Sequence, residues 1–194
     1  IPLHGWIAIG AYLIMNTIAF YGTRLFNSSK YHYDFTTRFD DMIPFIPCVI
    51  IIYSLFGFGQ WIYSYYLSAC EDKKTVAYIF GAEIIAKIPS AIIFILIPTT
   101  MIRPVPSGGD VFSLLVSMVY SIDTPDTLFP SFHVLESYLI LRTSHLVKHA
   151  PKWYRPATLI ISPLVIVSIL FVKQHVIVDI FAAMAVVEFG LLVM

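Results

Sequence analysis

Long apolar runs separated by short polar connections dominate the pattern of this chain. A helix needs about 20 mostly apolar residues to cross the hydrocarbon core of a bilayer, and six segments approach that length. They predict spans at residues 3–22, 43–68, 75–98, 131–148, 157–172 and 175–194. We therefore expect an all-α integral membrane protein, in which residues 1–194 form a single membrane domain built as a bundle of six transmembrane helices.

The connection between the third and fourth predicted spans, residues 99–130, is unusually long and rich in proline and glycine. Within it, residues 111–122 are apolar but too short to cross a bilayer, so they predict a short interfacial or re-entrant helix. Long connections in compact proteins usually carry function. Both ends of this connection are therefore candidates for a functional site.

Composition supports a membrane protein, because the 194 residues are 58% hydrophobic and only 12% charged. Soluble domains carry roughly 25% charged residues. The net charge is zero and the basic residues are dispersed, which argues against a nucleic-acid partner. The two cysteines have neither the spacing of a disulfide framework nor that of a metal site. No cofactor or metal is expected.

Basic residues are concentrated in the connections that follow the second and fourth predicted spans. By the positive-inside rule these connections face the cytoplasm, so the connections bearing His133 and His175 both face outward. A chain this short is consistent with a bacterial plasma membrane protein whose site lies on the outer face. The basic residues concerned are Lys73, Lys74, Lys148, Lys152 and Arg155.

His175 and Asp179 begin the sixth predicted span with a spacing of four residues, which places both side chains on one face of a helix. The carboxylate can accept a hydrogen bond from one imidazole nitrogen and leave the other nitrogen free to attack an electrophile. Alternatively, the pair only satisfies two polar groups inside the bundle. Because ionisable residues in a membrane are costly and tend to be functional, we favour the first interpretation.

His133 and Ser131 stand at the start of the fourth predicted span, directly after Pro130. A second histidine could protonate a leaving oxygen and later take a proton from water or an alcohol. The Ser131 hydroxyl and the N–H groups of the helix start are suited to hold a phosphate. The alternative for Ser131 is an ordinary helix cap after a proline.

Arg103 and Lys173 supply positive charge next to these two segments. Phosphoryl transfer requires cations on the non-bridging oxygens, and the donor fork of an arginine suits that task. The alternative for both side chains is that they reach from a helix end to the membrane surface.

Together these motifs resemble the three-part signature of the type 2 phosphatidic acid phosphatase superfamily, over roughly residues 75–190. The Lys-Gln-His-x-x-x-Asp form is similar to the branch that contains inositol phosphorylceramide and sphingomyelin synthases. The matching elements, in chain order, are Arg103-Pro104, Pro130-Ser131-Phe132-His133, and Ser168 with His175 and Asp179.

The resemblance implies a metal-independent phosphohistidine mechanism on a lipid that enters the bundle sideways. It implies His175 as nucleophile, Asp179 as its orienting carboxylate and His133 as general acid and then base. It also implies that the phosphate is held by Arg103, Ser131 and Lys173.

At two positions where the signature has a basic residue, this chain has an apolar one. They are Leu96, before Arg103, and Ile169, after Ser168. We suggest that Lys173 substitutes for one of the missing basic residues. Lys87 lies deeper in the third span, four residues after Glu83, and this spacing predicts an intramembrane ion pair.

Three further acidic residues lie close to these motifs. Asp123 and Asp126 fall in a proline-containing turn, where aspartate is favoured by local hydrogen bonds; either could instead contact a head group or pair with Arg103. Glu136, three residues after His133, could tune that histidine.

The sequence thus favours a membrane lipid-phosphate phosphatase that hydrolyses a lipid phosphomonoester or pyrophosphate. A second hypothesis is a phosphotransferase that moves a phospho-head group to a hydroxyl acceptor; a second, deep acceptor pocket would distinguish it. A third, from another class, is a non-catalytic lipid-binding or transport protein in which His133 and His175 relay protons or bind substrate.

Overall fold

The structure is a computed structural model that describes residues 1–27 and 29–194. Helices account for most of the described chain, which confirms the predicted all-α class. Two two-residue strands, Tyr33–Asp34 (β1) and Thr99–Thr100 (β2), pair in parallel and join two of the connections. The helices are α1 (Leu3–Thr17), α2 (Thr23–Asn27), α3 (Arg38–Met42), α4 (Gly57–Ala69), α5 (Lys73–Leu96), α6 (Val111–Ile122), α7 (Phe132–Thr143), α8 (Tyr154–Phe171) and α9 (Ile177–Val193).

Within the described ranges, four helices are long and apolar enough to cross a membrane, which indicates a membrane protein. Two of them, α5 and α8, are single α-helices. The other two contain a π-helical turn: Leu3–Asn27 comprises α1 and α2, and Pro47–Ala69 ends in α4.

The fourth and sixth predicted spans correspond to shorter helices. The fourth was expected over residues 131–148, but α7 has 12 residues and is followed by the 3₁₀ turn Ser144–Leu146. At about 1.5 Å per residue, it is shorter than the hydrocarbon core. Helix α9 has 17 residues. Six membrane crossings therefore stay a prediction. The short helix expected at residues 111–122 is present as α6, whereas its re-entrant or interfacial placement stays a prediction.

Helix α7 lies at the centre of the bundle, because Val134, Leu135 and Leu139 are fully buried in the main hydrophobic core. Helices α5 and α9 pack with their backbones close together. A Cβ atom placed on Gly190 would lie 2.2 Å from the carbonyl oxygen of Ala82. Glycine is therefore required at this crossing.

The connections fall at two ends of the bundle. At one end, the Glu71 carboxylate lies 3.0 Å from His149 Nδ1 and joins the two basic connections that follow α4 and α7. Helices α5 and α8 both run away from that end. The segments that follow them, with Arg103 and His175, therefore reach the other end, where α7 begins with His133.

Candidate active site

His175 and Asp179 form the contact expected from their spacing. His175 lies in the connection before α9, and its Nδ1 is 3.1 Å from Asp179 Oδ2. The backbone N–H of Val176 donates to the same oxygen at 3.0 Å. With the carboxylate ionised and able only to accept, His175 carries its proton on Nδ1 and presents a lone pair on Nε2. The geometry matches that of an oriented nucleophile.

The free nitrogen of His175 faces the second histidine. His133 Nδ1 lies 3.2 Å from His175 Nε2, so the structure brings together two residues that are 42 positions apart. On its other side, His133 Nε2 is 2.6 Å from the hydroxyl of Tyr53. The result is a continuous line of four side chains, Tyr53, His133, His175 and Asp179.

Burial of His175 keeps its imidazole uncharged. Burial lowers the pKa of the His175 imidazole from 6.5 to about 4; the nearby carboxylate of Asp123 opposes this shift and the Arg103 guanidinium supports it. The ring is therefore neutral at pH 7. A neutral imidazole has the lone pair that a nucleophile requires.

Arg103 is held at the same end of the bundle by two neighbours. Its Nη2 donates to Gln174 Oε1 at 2.6 Å, and its Nη1 donates to the backbone carbonyl of Asp123. The guanidinium also stacks on Tyr120, 4.8 Å from the ring centroid. Burial lowers the pKa of Arg103, but a guanidinium stays charged in proteins. A fixed positive charge is thus placed beside Gln174 and His175.

The carboxylates of Asp123 and Asp126 pair with Arg24, at 3.5 Å and 2.9 Å. The option that either carboxylate pairs with Arg103 is therefore not realised. Arg103 keeps its charge available for another anion.

Lys173 and Ser131 have structural partners of their own. Lys173 has a φ of 50°, and its Nζ donates to the backbone carbonyl of Asp40 at 2.7 Å. Ser131 is fully buried, and its Oγ accepts from the N–H of Val134 at 3.3 Å, which is the helix cap considered as its alternative. Phosphate binding by either residue stays a prediction.

Two cavities meet at the histidine pair. The first, which we call the apolar cavity, has a volume of about 600 Å³ and reaches His133; its walls include Tyr12, Trp61 and Tyr65. The second, the basic cavity, has a volume of about 460 Å³ and is lined by Arg103, Lys173 and His175. The His133–His175 contact separates the two spaces.

A buried ionic cluster lies behind the apolar cavity. Lys87 Nζ donates to Glu83 at 2.7 Å, which confirms the predicted ion pair, and to Glu136 at 2.8 Å. Its third bond goes to Asn16 at 2.9 Å. Glu136 therefore binds Lys87, and the structure does not place it in hydrogen-bond contact with His133.

Sequence patterns did not indicate three residues that shape the site. Tyr53 lies in an apolar run that contains several other aromatic residues. Gln174 stands inside the Lys-Gln-His motif, which gave it no role, although its side chain holds Arg103. Asp40 belongs to a capping box with Thr37, and this local pattern hides its longer-range bond, in which Oδ1 accepts from the Ile177 N–H at 2.7 Å.

The fold and site were compared with known proteins in three ways. Searches against protein-family models, curated proteins and solved structures find no match to this chain.

Proposed function

We propose that the protein is a membrane lipid-phosphate phosphatase that hydrolyses a phosphomonoester or pyrophosphate through a phosphohistidine intermediate. The observation that carries the proposal is the position of His175. It is oriented by Asp179, faces His133, and stands where the apolar cavity meets the basic cavity.

The chemistry proceeds in two balanced steps. In the first, His133 has taken up a proton as the phosphate binds; His175 Nε2 attacks phosphorus, the bond from phosphorus to the leaving oxygen breaks, and His133 gives its Nδ1 proton to that oxygen. In the second, water attacks the phosphohistidine, neutral His133 takes a proton from the water, and the P–N bond breaks to release phosphate. His175 is then free again, and His133 returns to its neutral resting state when it releases its added proton as phosphate leaves.

Substrate must enter between the two rings, because the 3.2 Å hydrogen bond leaves no space for a phosphoryl group. We assign the phosphate to the basic cavity, where Arg103 supplies the charge that the transition state needs. We assign the lipid chain to the apolar cavity. Exposed Leu13 and Ile62 on its rim offer a sideways path from the bilayer.

His175→Ala tests the proposal directly. Purified protein in lipid nanodiscs is assayed for phosphate release from a panel of lipid phosphates and pyrophosphates. We expect the variant to stay folded and to lose turnover, because it lacks the nitrogen that forms the proposed intermediate. His145→Ala, at the opposite end of the bundle, serves as the matched control. Substantial phosphate release by the His175 variant would refute the nucleophilic role.

A phosphotransferase is the second candidate, and the size of the apolar cavity favours it. Once the lipid leaving group has departed, the cavity of about 600 Å³ beside the acid–base histidine can hold an acceptor alcohol in place of water. Incubation with a head-group-labelled donor and a long-chain alcohol separates the two activities. Accumulation of a phosphodiester supports transfer, whereas release of the phosphorylated head group alone supports hydrolysis.

A further inference from the structure

Tyr53 occupies an unusual position in the second membrane span. It lies in the π-helical turn Ile52–Phe56, and its side chain is 1% exposed. Its hydroxyl is 2.6 Å from His133 Nε2. Single π-turns inside α-helices occur frequently at functional sites. Both the backbone and the hydrogen bond therefore point to a role beyond packing.

The four-residue line has one consistent arrangement of protons when Asp179 is ionised. Asp179 accepts, so His175 donates through Nδ1 and accepts through Nε2. His133 must then donate through Nδ1 and accept through Nε2, because a neutral imidazole has one donor and one acceptor. The Tyr53 hydroxyl is left as the donor to His133.

We propose that Tyr53 is the positioning residue of His133, which fixes the tautomer of the ring in the substrate-free protein and keeps Nδ1 directed toward the reaction site. The proposal rests on the proposed function, in which His133 alternates between acid and base. Tyr53 touches neither the nucleophile nor the cavity that we assign to the phosphate. It acts through His133.

A tyrosine is well suited to this task because its hydroxyl can both donate and accept. It donates to Nε2 while His133 is neutral with its proton on Nδ1. It accepts from Nε2–H when the ring is protonated, and also when the ring serves as a base through Nδ1. A carboxylate or carbonyl at this position would only accept, and would hold the neutral ring in the opposite tautomer.

Neighbouring side chains restrict the histidine ring further. The Trp61 ring lies 5.7 Å from the His133 ring, centroid to centroid, and its Nε1–H donates to Ser137 Oγ at 2.9 Å. The Tyr53 ring lies 4.9 Å from His133. These rings fix where His133 points, whereas the Tyr53 hydroxyl determines which nitrogen holds the proton.

The test has one measurement that does not depend on activity. Protein with ¹⁵N-labelled histidines is studied by NMR, with the His133 signals assigned from their loss in His133→Gln. In the substrate-free wild type we expect the proton on Nδ1. In Tyr53→Phe, which keeps the ring and removes the hydroxyl, we expect the Nε2–H tautomer to become populated. A wild-type Nε2–H tautomer, or an unchanged pattern in the variant, would overturn the proposal.

The second measurement is kinetic and uses the best lipid phosphate of the panel. We expect Tyr53→Phe to lower kcat by about 10- to 100-fold, less than the loss of an acid–base group itself, with KM changed by less than about threefold. Tyr78→Phe is the matched control, since it removes a hydroxyl that donates to the Leu191 carbonyl near the other end of the bundle.

The two measurements separate this inference from the proposed function. A shifted tautomer with normal kcat would overturn the positioning role. If wild-type protein turned over no substrate, the proposed function would fail, while NMR would still decide whether Tyr53 sets the tautomer. Gel filtration and melting temperature confirm that the Tyr53 variant is folded. The tautomer of the wild type is measured without any variant of Tyr53.

Discussion

Two hydrogen bonds to one oxygen determine how His175 is presented. Asp179 Oδ2 accepts from the ring and from the Val176 backbone, so the carboxylate is fixed by the same helix start that it orients. The Nδ1–H of His133 then donates to the remaining lone pair, on His175 Nε2. Opposite an ionised Asp179, the proposed nucleophile is held in one tautomer before any substrate arrives, which reduces the reorganisation needed during reaction.

Asp179→Asn should preserve the shape of the site and impair its chemistry. An amide can donate as well as accept. The His175 ring can therefore adopt the other tautomer, with its lone pair on Nδ1 facing position 179 and its proton on Nε2, where the lone pair is needed. In a Ser-His-Asp triad the equivalent change costs about 10⁴-fold, and we expect a loss of about 10²- to 10⁴-fold in the rate of phosphoenzyme formation, measured by rapid quench in alkali.

Glu188→Gln is the control for this variant, because it alters a carboxylate on the same helix that pairs with Arg142 instead. Phosphoenzyme formation by Asp179→Asn at the wild-type rate would show that the carboxylate does not orient His175.

His175 should become protonated only at an unusually low pH. Burial lowers its pKa to about 4, below the value of about 6.5 for an exposed histidine, so the unfolded chain takes up the proton first. The contribution of His175 to stability is then complete above pH 6.5 and is lost as the pH falls toward 4. NMR titration of the substrate-free protein should give a midpoint near 4, and a midpoint near 6.5 would contradict the buried position.

At the residue scale, local spacing could predict the His175–Asp179 pair and the Glu83–Lys87 ion pair, because each pair is four residues apart. The second pair lies within α5, whereas the first joins the connection before α9 to its first turn. It could not predict that Glu136 joins Lys87, or that Tyr53 contacts His133 across 80 positions. Those contacts depend on how the helices rotate and pack. A tyrosine in an apolar run has the same local pattern whether it fills the core or serves a site.

Among the helices, the crossing of α5 and α9 shows most clearly how small residues allow close packing. Gly190 lies against the backbone of Ala82 and against Ala86, and small residues of this kind let membrane helices approach closely. The crossing supports the site because α9 carries Asp179 at its first turn and α5 leads to Arg103.

Gly190→Ala should therefore destabilise the protein. The added Cβ would lie 2.2 Å from a backbone oxygen, so the helices must move apart, at a cost of about 1–3 kcal/mol as in other overpacked cores. Gly59→Ala, on exposed α4 surface with open space around it, should instead stabilise by about 0.5–1 kcal/mol. Reversible denaturant unfolding in detergent measures both. Equal effects of the two substitutions would contradict the close crossing.

Helix boundaries could be predicted from hydropathy to within a few residues for the long spans, and α6 appeared where its apolar run was expected. The fourth span was predicted too long. Leu146 and Val147 extend the apolar pattern past Thr143, but the chain turns through Ser144–Leu146 toward the Glu71–His149 contact. A tertiary contact at the end of the helix cannot be derived from local hydropathy.

For the molecule as a whole, the site and the basic connections lie at opposite ends of the bundle, and we propose that the site faces the outside of a plasma membrane. Asp41→Cys near the site and Lys74→Cys at the basic end, each in a Cys48→Ser, Cys70→Ser background, test this orientation. A membrane-impermeant maleimide applied to intact cells should label position 41 and spare position 74. The reverse result would place the site inside the cell.

The most direct test of the central claim is to trap the phosphoenzyme. A ³²P-labelled lipid phosphate is mixed with the protein for milliseconds, quenched in alkali and analysed by peptide mass spectrometry under conditions that preserve phosphohistidine. We predict acid-labile, alkali-stable phosphate on His175, absent from His175→Ala and increased in His133→Ala when a reactive aryl phosphate is used. Turnover of a lipid phosphate without any phosphate on His175 would contradict the account.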